Sequence, residues 1–460
     1  LFPGYNASEL HLGYVTNSVH YPTWIGREWD ELYRSRFGKG FPEDQSNKQY
    51  WRHIYEVSGE EIMEIRQIQR KRLLDYVKQK LQDDLTRRGE KPVAIFEVLN
   101  NIREDALVIG FARRFATYKR AHLLFANPER LAEIVNDPER PVMFIFAGKA
   151  HPADRGGQDL IKHIVEVSKQ TKFAGKIVFL EGYNMEMAKL LVRGVDIWLN
   201  TPTRPKEASG TSGMKAAMNG VMNFSVLDGW WAEGYRPDAG WALPLERTYD
   251  DQRLQDELDA ESIYNILEND IVPTFFDRPE DGPPEKWVDY IRHIIAEVAP
   301  DFTMKRMMDD YMERYYQPLT ERSRRIRRKD YQQARKMAAW KKKIQDHWDE
   351  IEVVSMDVSD TDNFALTVGD PFRASIKLFL NGINPEHLGL EVVFFRRTEG
   401  DDLEQRLITE LALTEVEDHT ARYECEIAPH MSGVFEYGFR LYPKHPDLPH
   451  RQDLEQVRWL

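Results

Sequence analysis

The sequence predicts an α/β protein: a Rossmann-like parallel sheet followed by a small all-β, sandwich-like domain. Three observations carry that prediction. Over residues 106–201, short and continuously apolar runs ending in small residues alternate with helical patterns, as strands buried on both faces do. From Val353 the texture changes to alternating, turn-rich stretches. The 460 residues exceed what one core usually holds, and 42% hydrophobic with 30% charged residues is an ordinary globular composition.

Taken in order, residues 60–85 place Ile62, Ile65, Ile68, Leu73, Leu74, Val77 and Leu81 at helical spacing with charges between them, a long amphipathic helix. "ALVIGFA", "PVMFIFAG", "KIVFLEG" and "VDIWLNT" read as strands, separated by helical stretches such as "HLLFANPERLAEIV" and "GQDLIKHIVEVSKQ". Ligands of parallel sheets bind beyond the carboxyl ends of the strands. "ARRFATYKR", "AGKAHP", "EGYNME" and "NTPTRPKEASGTSGMK" all follow strands and are therefore expected to gather at one edge. "KWVDYIRHIIAEVAPDFTMKRMMDDYMERYYQPL" continues as helix, and "ERSRRIRRKDYQQARKMAAWKKKI" is a basic helical stretch. The expected division is an α/β half over 1–320, a basic helical linker over 321–350 and a β domain over 351–460.

Composition narrows the function. Sixty-three Lys+Arg against 76 Asp+Glu leave a net charge of −13, which disfavours a general nucleic-acid binder. The single cysteine, Cys425, excludes an internal disulfide and argues against a cysteine-held zinc, so no metal site is expected. No apolar run approaches the roughly 20 residues that span a bilayer, and the cytoplasm is the expected compartment. The opening "LFPGYNASEL" has neither an initiator Met nor a signal-peptide pattern, so the chain is expected to begin mid-protein.

The richest segment is "EASGTSGMKAAMNG", Glu207–Gly220, directly after a strand. Gly210 and Gly213 permit close approach of a ligand to the backbone, and Thr211 and Ser212 add hydroxyl donors. A helix expected to start near Met214 would add its positive end, completing a phosphate cradle. The same positive end would favour the neutral form of Lys215, which Schiff-base formation requires. Pyridoxal 5'-phosphate would satisfy both features, although a tight turn with an incidental lysine has the same pattern.

This segment resembles the cofactor-lysine motif of the α-glucan phosphorylases, the glycogen, starch and maltodextrin phosphorylases, which read "EASGTGNMKF" there. The resemblance implies pyridoxal phosphate on Lys215, cofactor-phosphate contacts from Thr211 and Ser212, and glucosyl contacts from Glu207, Ser209 and Gly210. Ser212-Gly213 departs from the family pattern. "GFARRFATYKRAHLL" resembles "VKRIHEYKRQLL", which makes Arg114 the grip on the reacting phosphate, Lys119 its partner, and Arg113 a cation near the cofactor phosphate. Ala116 and Thr117 replace a His-Glu pair, so those contacts do not carry over. "FLEGYNM" resembles "FLENYRV" and implies that Tyr183 packs on the cofactor ring, while "IFAGKAHP", "VLDGWWAEG" and "YVTNSVHYPTW" resemble further family landmarks. The likeness covers roughly Gly13–Leu319, the second half of a GT-B-type glycosyltransferase fold.

What this implies is phosphorolysis of α-1,4-glucan ends to α-glucose 1-phosphate with retention, the cofactor's phosphate exchanging a proton with the substrate phosphate. Two adjacent phosphates repel, and Arg113, Arg114 and Lys119 would supply the compensating charge. Plainer expectations stand beside this. Arg113, Lys119 and Arg120 could form a solvated face, His20 and His151 read as structural, Trp230 and Trp231 as packing, and Arg322–Lys343 as a solvated or interdomain helix. The expected partners are glucan, inorganic phosphate and the family's first half, whose absence would leave this chain little turnover, with a homodimer and allostery possible for the intact enzyme. A nucleotide-sugar glycosyltransferase of the same fold, or a non-catalytic glucan-binding module resting on the β domain, are the alternatives.

Overall fold

The computed structural model describes residues 2–244, 249, 251–279, 282–359, 371–397, 403–428 and 433–460. It separates into one unit running Val15–Arg314 and a second made of residues 2–14 and Tyr315–Leu460.

The first unit is built on six parallel strands: β1 (Leu107–Ala112), β2 (Val142–Ala147), β3 (Ile177–Leu180), β4 (Ile197–Asn200), β5 (Met222–Val226) and β6 (Gly240–Leu243). Their order is β3-β2-β1-β4-β5-β6. Both faces are covered, which explains why β1, β2 and β3 are apolar throughout rather than alternating, whereas β5 reads MNFSV, with Asn223 and Ser225 buried. Leu107, Ile109, Phe111, Phe144 and Ile197 face one apolar cluster, and Val108, Met143, Ile145 and Trp198 face the other. Burying each such large side chain contributes about 1.5–3 kcal/mol. β5 and β6 were not read from the sequence. β5 is broken by Asn223 and Ser225 and follows closely on the helix that ends at Ala217, so no continuous apolar run marks it as a strand.

The strand order reverses between β1 and β4, so their connections leave in opposite directions and open a crevice at their carboxyl ends. The long amphipathic helix forms as Gly59–Arg87, capped by the Ser58 side chain on the Glu61 N–H.

The second unit is a pair of four-stranded antiparallel sheets. Its strands are β7 (Glu352–Val358), β8 (Phe372–Phe379), β9 (Leu388–Arg397), β10 (Leu403–Glu410), β11 (Ala412–Glu417), β12 (Thr420–Ile427), β13 (Glu436–Pro443) and β14 (Arg458–Trp459). The sheets run β10-β9-β13-β14 and β11-β12-β8-β7 around a core that includes Ile376, Leu378, Leu390, Val392, Tyr423 and Leu441. The basic helix spans Gln317–His347, with non-helical backbone at Arg328–Tyr331. Met337, Trp340, Ile344 and Trp348 follow at helical spacing and join the core of the β unit, so this helix is built into that unit rather than linking to it.

Residues 2–14 also belong here. Glu9 reaches Arg440 of β13, which alternation places on the face opposite Phe439 and Leu441. The boundary therefore falls near residue 314, and the chain's first residues go with the β unit.

Candidate functional site

Two loops meet at the crevice. β1 ends at Ala112, and the chain passes through Arg113 and Arg114 into a 3₁₀ turn, Thr117–Lys119. β4 ends at Asn200 and leads through residues 201–211 into the short helix Ser212–Ala217, which starts two residues before the expected Met214. Arg120 fastens one loop to the other. Its Nε donates to the Thr201 carbonyl at 3.0 Å and its Nη2 to the Pro202 carbonyl at 3.0 Å, with Asp256 at 2.9 Å and Asp259 at 2.7 Å as counter-charges.

That arrangement overturns the solvated-face expectation, since the Arg113, Lys119 and Arg120 side chains are 12%, 7% and 2% exposed. Buried cations need partners. Arg113 Nη2 donates to Glu207 Oε2 at 2.7 Å, and Lys119 Nζ donates to the same oxygen. Burial pushes the Arg113 guanidinium below its ordinary pKa, with the Glu207 charge opposing. Its Nε and Nη1 are buried with no hydrogen-bond partner among the described residues. The cluster thus has two cations, one carboxylate and two idle donors, which favours an additional anion.

Arg114 is exposed at the rim. Burial raises the Tyr118 phenol, but contacts with the Lys119 ammonium and the Arg114 guanidinium outweigh it and bring the pKa below the usual tyrosine value. Lys119 Nζ lies 4.4 Å from the Tyr118 ring centroid.

The lysine loop is shaped by its glycines. Gly210 has φ +74°, and a Cβ on Gly213 would overlap the Asn223 carboxamide and stand 2.6 Å from the Trp230 ring. The turn after β5 clamps the loop: Asp228 Oδ2 accepts from the Glu207 N–H at 2.9 Å, and the Trp230 N–H donates to the Ser209 carbonyl at 2.8 Å. Trp230 and Trp231, 3% and 0% exposed, are packing residues. The Thr211 side chain makes no capping bond, and Ser212 Oγ accepts from Trp198 Nε1 at 3.0 Å while keeping its own proton to donate.

Lys215 is half-buried, and its Nζ makes no hydrogen bond or ion pair among the described residues. The amine lies 3.8 Å from the centroid of the Trp24 ring. Burial lowers its pKa. Asn219 secures the backbone beneath it, its Nδ2 donating to the Lys215 carbonyl at 2.7 Å and to the Trp24 carbonyl at 3.0 Å, its Oδ1 accepting from the Gly26 N–H at 2.7 Å.

An unpaired, partly desolvated amine, unspent hydroxyls at Thr211 and Ser212, and the idle donors of Arg113 together fit a phosphorylated aldehyde. Tyr183 follows β3, the sheet's edge strand, and is half-buried against the apolar cluster that also receives Trp24. His20 and His151 make local contacts, to Thr23 Oγ1 at 2.8 Å and from the Ala153 N–H at 3.1 Å. Among the described residues no group of three or more His, Cys, Asp or Glu could hold a metal ion, and no helix is long and apolar enough to cross a membrane.

Residues 15–233 match the family model described as carbohydrate phosphorylase, and residues 348–460 match that of the glycogen phosphorylase C-terminal domain. The chain belongs to the carbohydrate phosphorylase family. It is 35% identical to a maltodextrin phosphorylase of Thermococcus litoralis over 463 residues, covering 100% of this chain and 53% of that protein. It is 34% identical to a glycogen phosphorylase of Mycobacterium bovis over 458 residues, 99% of this chain and 53% of that protein. A glycogen phosphorylase of Aquifex aeolicus is 42% identical over 312 residues, 68% of this chain and 45% of that protein. The chain spans about half the length of these relatives.

The sequence reading missed Tyr118, Trp24, Asn219 and Asp228. All four lie inside quoted motifs, but nothing in those motifs marks Tyr118 as a neighbour of Arg114, Trp24 and Asn219 as supports of Lys215, or Asp228 as the anchor of Glu207.

Proposed function

We propose that this chain carries the pyridoxal-phosphate-binding portion of an α-glucan phosphorylase that cleaves α-1,4-glucan ends with inorganic phosphate, retaining the anomeric configuration. The observation that carries the reading is Lys215: a half-buried amine with no polar partner among the described residues, its pKa lowered by burial, on the short helix that follows β4 at the sheet's switch point. Lowering the pKa enlarges the neutral fraction that attacks an aldehyde. Thr211, Ser212 and Arg113 would hold the cofactor's phosphate. When bound, that phosphate supplies an acid-base group beside the substrate phosphate.

The chain's own residues do the rest. Lys119 and Arg114 draw the substrate phosphate to the crevice and offset its charge. Glu207, Ser209 and Gly210 border the place a terminal glucosyl unit would occupy. The names of the relatives, maltodextrin and glycogen phosphorylase, support glucan as substrate class.

The test is incubation with pyridoxal 5'-phosphate, borohydride reduction and peptide mapping. One pyridoxyl adduct is expected, on Lys215, and Lys215→Ala is expected to remove both it and the pyridoxal absorbance band. An adduct elsewhere, or a band that survives Lys215→Ala, would overturn the reading and return weight to a nucleotide-sugar glycosyltransferase.

A further inference from the structure

Glu207 is assigned above to a sugar, yet its carboxylate is engaged elsewhere. Oε2 alone holds Arg113, at 2.7 Å, and Lys119. Oε1 faces Gly210, where an added Cβ would stand 3.6 Å away. The loop backbone around Glu207 is fixed, the Glu207 N–H held by Asp228 and the carbonyl of Ser209 held by Trp230. What remains free to move is the side chain, with three rotatable bonds.

We propose that Glu207 is an exchangeable internal anion. It neutralises Arg113 and Lys119 until phosphate arrives, and phosphate then displaces the carboxylate, freeing it on the Gly210 side to accept a hydroxyl. The inference rests on the reading of Lys119 as a substrate-phosphate group, and in the chain without cofactor the Arg113 donors assigned above to the cofactor's phosphate are open to inorganic phosphate as well. A phosphate dianion has more acceptor oxygens than a carboxylate, so it can fill the idle Nε and Nη1 of Arg113 as well as the donors Glu207 gives up. The cations, 12% and 7% exposed, are too desolvated to stand unneutralised. A tethered carboxylate therefore keeps the pocket folded between turnovers, and phosphate affinity is reduced by the fraction of time the carboxylate sits on the cations.

The test is titration of the full chain with inorganic phosphate by calorimetry at pH 7 and constant ionic strength. Glu207→Gln removes the competing charge and is expected to tighten phosphate roughly tenfold. Glu207→Asp, one methylene shorter, keeps the charge but cannot reach both cations equally, and an intermediate tightening is expected. Should Glu207→Gln fail to fold, Glu207→Asp decides in the same way. A folded variant that binds phosphate no more tightly than the parent chain, or not measurably, overturns the proposal. Tightening without a pyridoxyl adduct on Lys215 leaves the exchange standing and the cofactor reading refuted. An adduct with unchanged phosphate affinity does the reverse.

Discussion

Asp196→Ala is expected to destabilise the α/β unit by about 3–5 kcal/mol, read as a fall in the urea midpoint at unchanged slope. Asp196 is fully buried at the entrance to β4 and pairs with Arg70 at 2.5 Å and Arg66 at 3.5 Å, both from the Gly59–Arg87 helix. Its Oδ2 accepts from the Val108 N–H at 3.0 Å, so the carboxylate also joins β1 to β4. Alanine leaves two buried guanidiniums uncompensated and a strand amide unpaired. Burial already pushes Arg66 down to about 10, against the opposing charge of Asp196. The damage is expected to reach the site, because Arg66 Nη1 also donates to the carbonyl of Asn219 at 3.2 Å, the residue that secures Lys215. Asp196→Asn keeps a hydrogen-bond acceptor and is expected to cost less. A loss under about 1 kcal/mol for Asp196→Ala would show that water or rearrangement satisfies the arginines.

How far the site was legible follows from how local its physics is. The lysine loop was readable because the glycines, hydroxyls and amine that define it lie within Glu207–Lys215, and a strand-to-helix transition needs only the change of apolar period around it. The parallel sheet was readable from the two-sided burial of β1 to β4, whereas β5, broken by the buried Asn223 and Ser225, has no continuous apolar run to mark it. Partnerships across the fold were not readable. Glu207 meets Arg113 and Lys119 only because β1 and β4 are neighbours, and strand order leaves no local mark on any of the three residues. The same holds for Trp24 beneath Lys215. The basic stretch drew attention to its charges, and the apolar stripe through Trp340 and Ile344 that docks it in the sandwich was passed over. Charge density says where a helix can face water; the sparser apolar positions decide what it packs against.

The second large effect is expected in the β unit. Arg440, 1% exposed, lies between Glu9 and Glu391, donating from Nη1 to Glu9 Oε2 at 3.0 Å and from Nε to Glu391 Oε1 at 2.6 Å. Arg451 completes the square, reaching Glu391 and Glu9 at 2.8 Å each. The Tyr5 ring covers both guanidiniums, at 4.5 Å and 5.0 Å. Arg440→Ala leaves two buried carboxylates sharing one arginine, and a loss of about 3–5 kcal/mol is expected, with residues 2–14 becoming the first site of proteolytic cleavage. The pH dependence separates lost charge pairing from lost packing. Burial raises the Glu9 pKa, but hydrogen bonds from Arg440 and the Asn6 backbone, with the charges of Arg440 and Arg451, bring it below the ordinary value. A carboxylate whose folded pKa is depressed stabilises the fold above its unfolded pKa, near 4.3, and that stability is lost as the pH falls through the lower folded value. The gap between the parent chain and Arg440→Ala is therefore expected to be full at pH 7 and to narrow below about pH 4, as denaturant titrations at the two pH values would show. A gap that stays constant into acid would assign the loss to the arginine's packing against Tyr5 rather than to its charge.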